Sequence, residues 1–495
     1  MRTEKTLFRI AALAFAAALA LPAAAQQADF TMFAQIGDSL TAGFTNNCLV
    51  EYAQNDSYGA IIARHAGVSG FQQPLISSPG LGPCMYLTSL APTFGPPPLP
   101  AGYPGHPTNS TLARPYNNLG VPGYTISQAV DSNPSPGASI GYIILRGQGT
   151  MLQQAAALKP TFLTIYIGNN DFLNAAGLAT VIDGVTLTPA AVFDSKLQTI
   201  VDTMKAAQGG TGKGLILNMG DVTTIPFTST VSPLLGTNPA TGAPIYALSN
   251  YACPTGFPAC PVPAGSLLTL NAAALMQTGY GVPCAVKPNL PNCNQPLPDN
   301  CDLSGGAATC SAKPGVVLTP DEISRLLART AEFNASIAAR GPAAGYKLYD
   351  VAALFQDIRA HGRVYGGLTV TTAYLSGGFF GYDGVHPTSL GYAILASELI
   401  DFINANYGSS LGSIDMTPYL FNGNTSPGGF PVGLGLTQQE TLKWAAEIYS
   451  PENWESSLKY LFTQPARHAV APGDPQDQPV RGTRGGTERQ DGPQQ

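Results

Sequence analysis

Ser39 stands in Ile36–Phe44, read IGDSLTAGF, directly after the apolar run FTMFAQI. Glycine, aspartate and serine make turns after strands, so Gly37–Leu40 suits a plain turn as well as a nucleophile. A nucleophilic serine needs a base, and the base needs a group that orients it. Histidine is scarce, with 5 in the chain: His65, His106, His361, His386 and His468. His468 falls in a polar tail, His106 in a proline-rich loop, and His65 and His361 flank helical runs where a solvated histidine is the ordinary outcome. His386 differs, because GYDGVHPTSLGY places it between the last expected strand and a helix, with Asp383 upstream. A D-G-V-H turn can hold carboxylate and imidazole on one side, the acid on the Nδ1 proton and Nε2 facing a serine. Taken alone, the same residues also read as an Asp-Gly turn leading into a helix at Pro387.

Acyl transfer further needs donors aimed at the developing oxyanion. Gly123, in NLGVPGYT, has no Cβ to hold its N–H away from a reacting group. Asn170, in IGNNDF, carries a donating amide directly after a strong strand. Together with Ser39 these residues fall at the C-terminal ends of strands, the edge where open α/β sheets place their ligands. Two other serines, Ser139 in GASIG and Ser410 in GSSLG, match a nucleophile-elbow pattern that requires a strand before it and a helix after it. Ser139 follows the loop DSNPSP and Ser410 follows a helix end, so neither has that context.

Strand and helix signals alternate through much of the chain, the pattern of an α/β domain with a parallel sheet. TMFAQI before Gly37 is a first strand, the run ending at YNNLG a weak second, and Thr161–Ile167, TFLTIYI, a strong third. GLILNMG from Gly214 and Tyr346–Val351, YKLYDV, complete five. One helix is expected from Thr319, with Pro320 at its first position and Glu322 closing a capping box, to a stop at Gly341. Another, amphipathic like the first, follows His386 as TSLGYAILASELIDFINANY.

The 495 residues give room for several average domains or for one large decorated one. Hydrophobic residues at 44 % against 11 % charged exclude disorder for the body, while 55 Gly and 43 Pro point to long loops. A formal net charge of −6 without a basic stripe excludes the electrostatic footprint of a nucleic-acid binder. Arg2, Lys5 and Arg9, an apolar run to Leu21 and Ala23–Ala25 read as a signal peptide over 1–25 cleaved near Gln26. No cysteine stands directly after the cleavage point to take a lipid anchor and no other long apolar run exists, so a secreted or periplasmic protein without a membrane span after cleavage is expected.

Export makes the 8 cysteines informative. No C-x-x-C pair and no neighbouring histidine supports zinc, so disulfides are expected: Cys48 with Cys84, and a cluster of Cys253, Cys260, Cys284, Cys293, Cys301 and Cys310 whose pairing the sequence leaves open. That cluster lies in a Pro/Gly-rich insertion, 228–314, with almost no charge, stapled because it lacks a core of its own. It reads equally as a passive excursion or as a flap over an apolar site. The expected division is then 26–412 for the main domain, 413–464 for a helical extension with a capped helix at TQQETLKWAAEIY, and 465–495 for a disordered tail.

The ordered set Gly37-Asp38-Ser39-Leu40, Gly123, Gly168-Asn169-Asn170-Asp171 and Asp383-Gly384-Val385-His386 resembles the four blocks of the SGNH/GDSL hydrolases, the GDSL-like lipases and acylhydrolases. The resemblance implies a flavodoxin-like three-layer α/β/α sandwich around a central parallel sheet, and ester hydrolysis with no cofactor and no metal. Carried over, it makes Ser39 the nucleophile, His386 the base and Asp383 its orienter. It assigns the oxyanion hole to the Ser39 and Gly123 amides and the Asn170 side chain. The insertion has no counterpart in these blocks, so substrate choice rests on the loops. Their uncharged, proline-rich character favours lipid or other apolar acyl esters over O-acetylated polysaccharide. A reading of another class is an exported binding protein on an inert hydrolase scaffold; the presence of every block speaks against it.

Overall fold

Three fully buried runs, apolar but for Gln35 and Thr164, which bond one another, and the Tyr166 hydroxyl, form the heart of the sheet: β1 Phe33–Gly37, β2 Phe162–Tyr166 and β3 Gly214–Leu217. A fourth, β4 Lys347–Tyr349, is partly exposed and closes one edge. All pair in parallel in the order β1-β2-β3-β4, with Phe33 opposite Phe162, Ile165 opposite Ile216 and Leu348 also opposite Ile216. Near-continuous apolar strands are what a parallel sheet covered on both faces demands. The computed structural model describes residues 27–85, 104–137, 139–250, 253–298, 315–421 and 437–449. The expected signal peptide and tail lie outside these residues.

The expected second strand, ending at YNNLG, is not a strand. It runs beside β1 with a single parallel bridge, Gln35 to Asn118. Gln35 N donates to Asn117 O at 2.8 Å and Val121 N to Gly37 O at 3.1 Å. The asparagine side chains divert the rest: Asn117 Nδ2 donates to Phe33 O (2.7 Å) and Asn118 Nδ2 to Thr41 O (2.8 Å). Side-chain amides that bond main chain compete with a ladder and bend the segment away from regular pairing. Its place beside β1 still completes the flavodoxin-like strand order, whose switch point lies at the end of β1.

Helices flank the sheet in two groups. Met151–Ala157, Ala190–Ala207 and Pro320–Ala344 pack on one another and on strands β1, β3 and β4. Phe193 stacks on Phe333 at 4.1 Å between ring centroids across the two long helices. The second group pairs Tyr58–His65 with Ser389–Tyr407. The capping box at Thr319 and Glu322 is present, but its helix passes Gly341 and Pro342 and ends at Gly345, φ +111°. Gly341 serves approach rather than termination: a Cβ there would lie 2.5 Å from Ile216 Cγ2. The helix after His386 is not amphipathic in its first half, because Ser389–Ala396 are all buried.

Three disulfides join described residues: Cys48–Cys84 as expected, Cys253–Cys260 and Cys284–Cys293. Cys301 and Cys310 lie outside the described residues. The insertion leans on the main core, giving it Leu268, Leu270 and Ala272, and Leu267–Leu268 pairs antiparallel with Val317–Leu318. Its helix Ala272–Gln277 packs on the helix Gln438–Ile448. Among the described residues no helix is long and apolar enough to cross a membrane.

Candidate active site

The end of β1 turns so sharply that a Cβ on Gly37 would sit 1.9 Å from Thr41 Oγ1 and 2.8 Å from Tyr166 O. Only glycine fits. Asp38 then caps the helical turn α1, Ser39–Ala42, its Oδ1 accepting Leu40 N at 3.0 Å. Ser39 is the first helical residue, so its N–H has no acceptor within the helix. The turn closes at Gly43, φ +77°.

The structure brings Ser39, His386 and Asp383 together. His386 Nε2 lies 2.9 Å from Ser39 Oγ, and His386 Nδ1 lies 2.9 Å from Asp383 Oδ2. With Nδ1 protonated toward the carboxylate, Nε2 is free to accept the serine proton. Asp383 is itself held: Oδ1 accepts His386 N (2.8 Å) and Val385 N (2.9 Å), and Oδ2 also accepts Asn47 N at 2.9 Å. Burial pushes the Asp383 carboxyl up, but the charge and hydrogen bonds of His386 with the amides outweigh it and hold the acid below its ordinary range. The imidazole edge meets the Phe44 ring at 4.9 Å between centroids.

Gly123 and Asn170 join the same end of the sheet. Gly123 is buried with φ +82°, a conformation that favours glycine. Its loop is tied to β1 through Val121 N and to the third motif block through Asn170 Nδ2, which donates to Tyr124 O at 3.0 Å. Asp171 completes that clamp, accepting Ile126 N at 2.8 Å and Thr188 Oγ1 at 2.7 Å. Asn169 Nδ2 reaches back to Asp38 Oδ2 at 2.9 Å, so the residues on either side of Asn170 fasten two loops of the site.

Both supporting carboxyls are fully enclosed. Burial raises Asp38 to about 6, against the opposing pull of Asn169, Leu40 N–H and His386. Burial likewise raises Asp171 to about 7, against its bonds from Thr188 and Ile126. Sequence reasoning assigned no role to Asp38, Asn169 or Asp171, although each sits inside a quoted block. It also missed Asn46 and Asn47, which take left-handed backbone at φ +52° and +56° and grip the histidine turn: Asn46 Oδ1 accepts Tyr382 N at 2.7 Å. The pair of asparagines shortly after the serine was the available signal, since asparagine tolerates that conformation.

The competing residues go elsewhere. Ser139 caps a short helix, accepting Tyr142 N at 3.2 Å, and Ser410 lines a depression of about 700 Å³ with Gln27–Met32 and Arg114 that contains none of the site residues. His65, His106 and His361 are bonded to Gly412 O, Ser77 Oγ and Asp357 Oδ1 respectively, away from Ser39. His468 lies outside the described residues. Among the described residues no group of three or more His, Cys, Asp or Glu side chains converges as metal ligands.

Ser39 and His386 are only 4 % and 2 % exposed, so the arrangement is sheltered from water. At Gly384, φ +64°, a Cβ would lie 2.8 Å from Leu270 Cδ1 and 2.9 Å from Phe227 N, placing the insertion directly against the turn that carries His386. Residues 34–256 match the family model described as GDSL-like Lipase/Acylhydrolase. The matched span contains Ser39, Gly123 and Asn170 and ends before Asp383 and His386. No curated protein and no solved structure matches the chain.

Proposed function

Because the chain carries a GDSL-like lipase/acylhydrolase domain, a family whose activity is ester or acyl hydrolysis, we propose that it is a serine ester hydrolase working through an acyl-serine intermediate. The observation that carries this reading is the unbroken relay from Ser39 Oγ through His386 to Asp383, with 2.9 Å at each link. Ser39 Oγ attacks the ester carbonyl carbon while His386 Nε2 takes its proton. The carbonyl oxygen becomes an oxyanion, received by the Ser39 and Gly123 amides and the Asn170 side chain. Collapse expels the alkoxide, which takes the proton from His386, and leaves the acyl group on Ser39. Water, deprotonated by the same imidazole, attacks the acyl-serine; as the intermediate collapses, His386 returns that proton to the departing Ser39 Oγ and the acid is released. Asp383 keeps Nδ1 as a donor and stabilises the imidazolium that forms at each step.

A fluorophosphonate probe tests the reading. The wild type is expected to label covalently, Ser139→Ala to label equally, and Ser39→Ala not at all. A folded wild type that stays unlabelled removes the proposal.

We take the substrates to be lipid or other apolar acyl esters, supported by uncharged loops and by Leu270 of the insertion, which packs against Gly384 in the turn that carries His386. O-acetylated polysaccharide is the alternative, and rates across p-nitrophenyl esters of rising acyl length separate the two, a strict acetyl preference favouring the carbohydrate. Export is the remaining part of the proposal, supported by three disulfides. A mature amino terminus found near Gln26 by peptide sequencing is the expected result.

A further inference from the structure

We infer that Tyr449 is a positioning residue for the Asp383–His386 pair, holding the main-chain carbonyl of the catalytic acid from a segment far outside the matched domain. The inference rests on the hydrolase reading. Tyr449 is buried, and its phenol donates to Asp383 O at 2.6 Å.

The turn it grips is otherwise fastened on every side. Gly381 N donates to His386 O (2.8 Å), Gly384 N to Gly381 O (3.0 Å) and Phe227 N to Gly384 O (3.0 Å). Tyr374, buried like Tyr449, donates to Tyr382 O at 2.6 Å, so two phenols hold consecutive carbonyls. The peptide joining Asp383 to Gly384 is the soft point. Glycine at φ +64° gives that peptide little steric resistance to rotation, and a shift of the Asp383 main chain with it would move the carboxylate relative to Nδ1. The peptide's N–H is held by Gly381 O, and the Tyr449 phenol supplies the restraint on its carbonyl side.

The donor arrives on a built support. Tyr449 caps the helix Gln438–Ile448, which begins with the capping box of Thr437 and Glu440 and packs on the insertion helix Ala272–Gln277. Gln277 Nε2 donates to Lys443 O at 3.3 Å, and the Tyr449 ring lies 5.9 Å from that of Phe227, the residue whose amide holds Gly384 O. Phe227, directly before the insertion, and the late helix therefore meet at the acid–base turn, one on each of two adjacent carbonyls.

The test uses the full chain, with p-nitrophenyl acetate as substrate and fluorophosphonate titration to count competent sites, so that kcat is read per labelled site on whatever fraction folds. Tyr449→Phe is expected to lower kcat about tenfold, the rate equivalent of one hydrogen bond, with KM changed by less than about twofold and the acid limb of the kcat/KM profile displaced. Tyr449→His, which restores a ring donor, is expected to recover part of kcat. Tyr407→Phe is the control, since it removes a similar phenol bond, to Gly214 O at 2.8 Å, at the start of β3. It should leave kcat and the pH limb alone. If Tyr449→Phe lowers only the melting temperature and keeps wild-type kcat and pH limb, the tyrosine merely anchors its helix and the inference is wrong. Should that variant yield no folded protein, Thr437→Ala, an exposed change that loosens the supporting helix, decides by the same readout: unchanged kcat overturns the inference. A wild type that neither labels nor hydrolyses overturns the hydrolase reading and this one with it.

Discussion

Asn170 joins two demands in one amide, since the Nδ2 that would donate to an oxyanion already donates to Tyr124 O beside Gly123. Asn170→Ala should fold and lose about a hundred- to a thousandfold in kcat, whereas near wild-type turnover would exclude it from the oxyanion hole. Asp171 makes a different prediction. Its carboxyl is raised by burial from 3.8 to about 7 in the fold, so its contribution to stability is complete below about pH 4 and is lost as pH rises through 7. Asp38, raised to about 6, adds the same sign and is spent sooner. Urea unfolding of Asp171→Asn between about pH 4 and about pH 8 should therefore show a flatter dependence than the wild type; an identical slope would mean that Asp171 ionises in the fold as it does unfolded. The convergence of Ser39, Asp383 and His386 was legible in the sequence because the proposed chemistry needs particular residue types in a particular order. Asp38 and Asp171 were not, because a carboxyl's role as a buried acceptor depends on which amides tertiary packing delivers to it. Asn47 is the clearest case, an ordinary polar residue whose backbone N–H alone makes it part of the site.

At the scale of elements, Gly341 sets two principles against each other. Helix propensity says that Gly341→Ala should stabilise by about 1 kcal/mol, while a Cβ 2.5 Å from Ile216 Cγ2 says that it should destabilise by about 1–3 kcal/mol. The contact is to β3, a fully buried strand paired on both sides, where Ile216 has no room to retreat, so a lowered unfolding midpoint is expected in denaturant melts. Phe333→Ala, which empties one side of the Phe193 stack between the long helices, should cost about 3–5 kcal/mol. The sequence reading of Gly341 as a helix stop failed for the same reason that it missed Asp171: composition shows a residue without a side chain, and packing decides whether that absence serves a turn or a close approach. The four strands of the sheet were visible as largely apolar runs, since burial of the inner three leaves few polar positions to confuse the pattern. YNNLG was harder, because asparagine side chains took over the bonds that a strand would have made with its own backbone.

Across the whole molecule, the disulfides divide by what they enclose. Cys48–Cys84 closes a separation of 36 residues beside Asn46 and Asn47, and its loss should cost about 4 kcal/mol and lower kcat as the grip on Asp383 loosens. Cys253–Cys260 closes only 7 residues away from the catalytic contacts, so the paired alanine changes there should cost about 2 kcal/mol and leave kcat unchanged. Thermal melts and initial rates on the two double variants check both statements. Ser39 and His386 touch across 347 residues of chain. At a synthesis rate of about 5–20 residues per second, the base emerges roughly 20 to 70 seconds after the nucleophile. Throughout that interval the serine has no partner, and the relay closes only when distant parts of the polypeptide have folded together. On the proposed hydrolase reading, a growing chain therefore carries an inactive hydroxyl, and activity is switched on by folding itself.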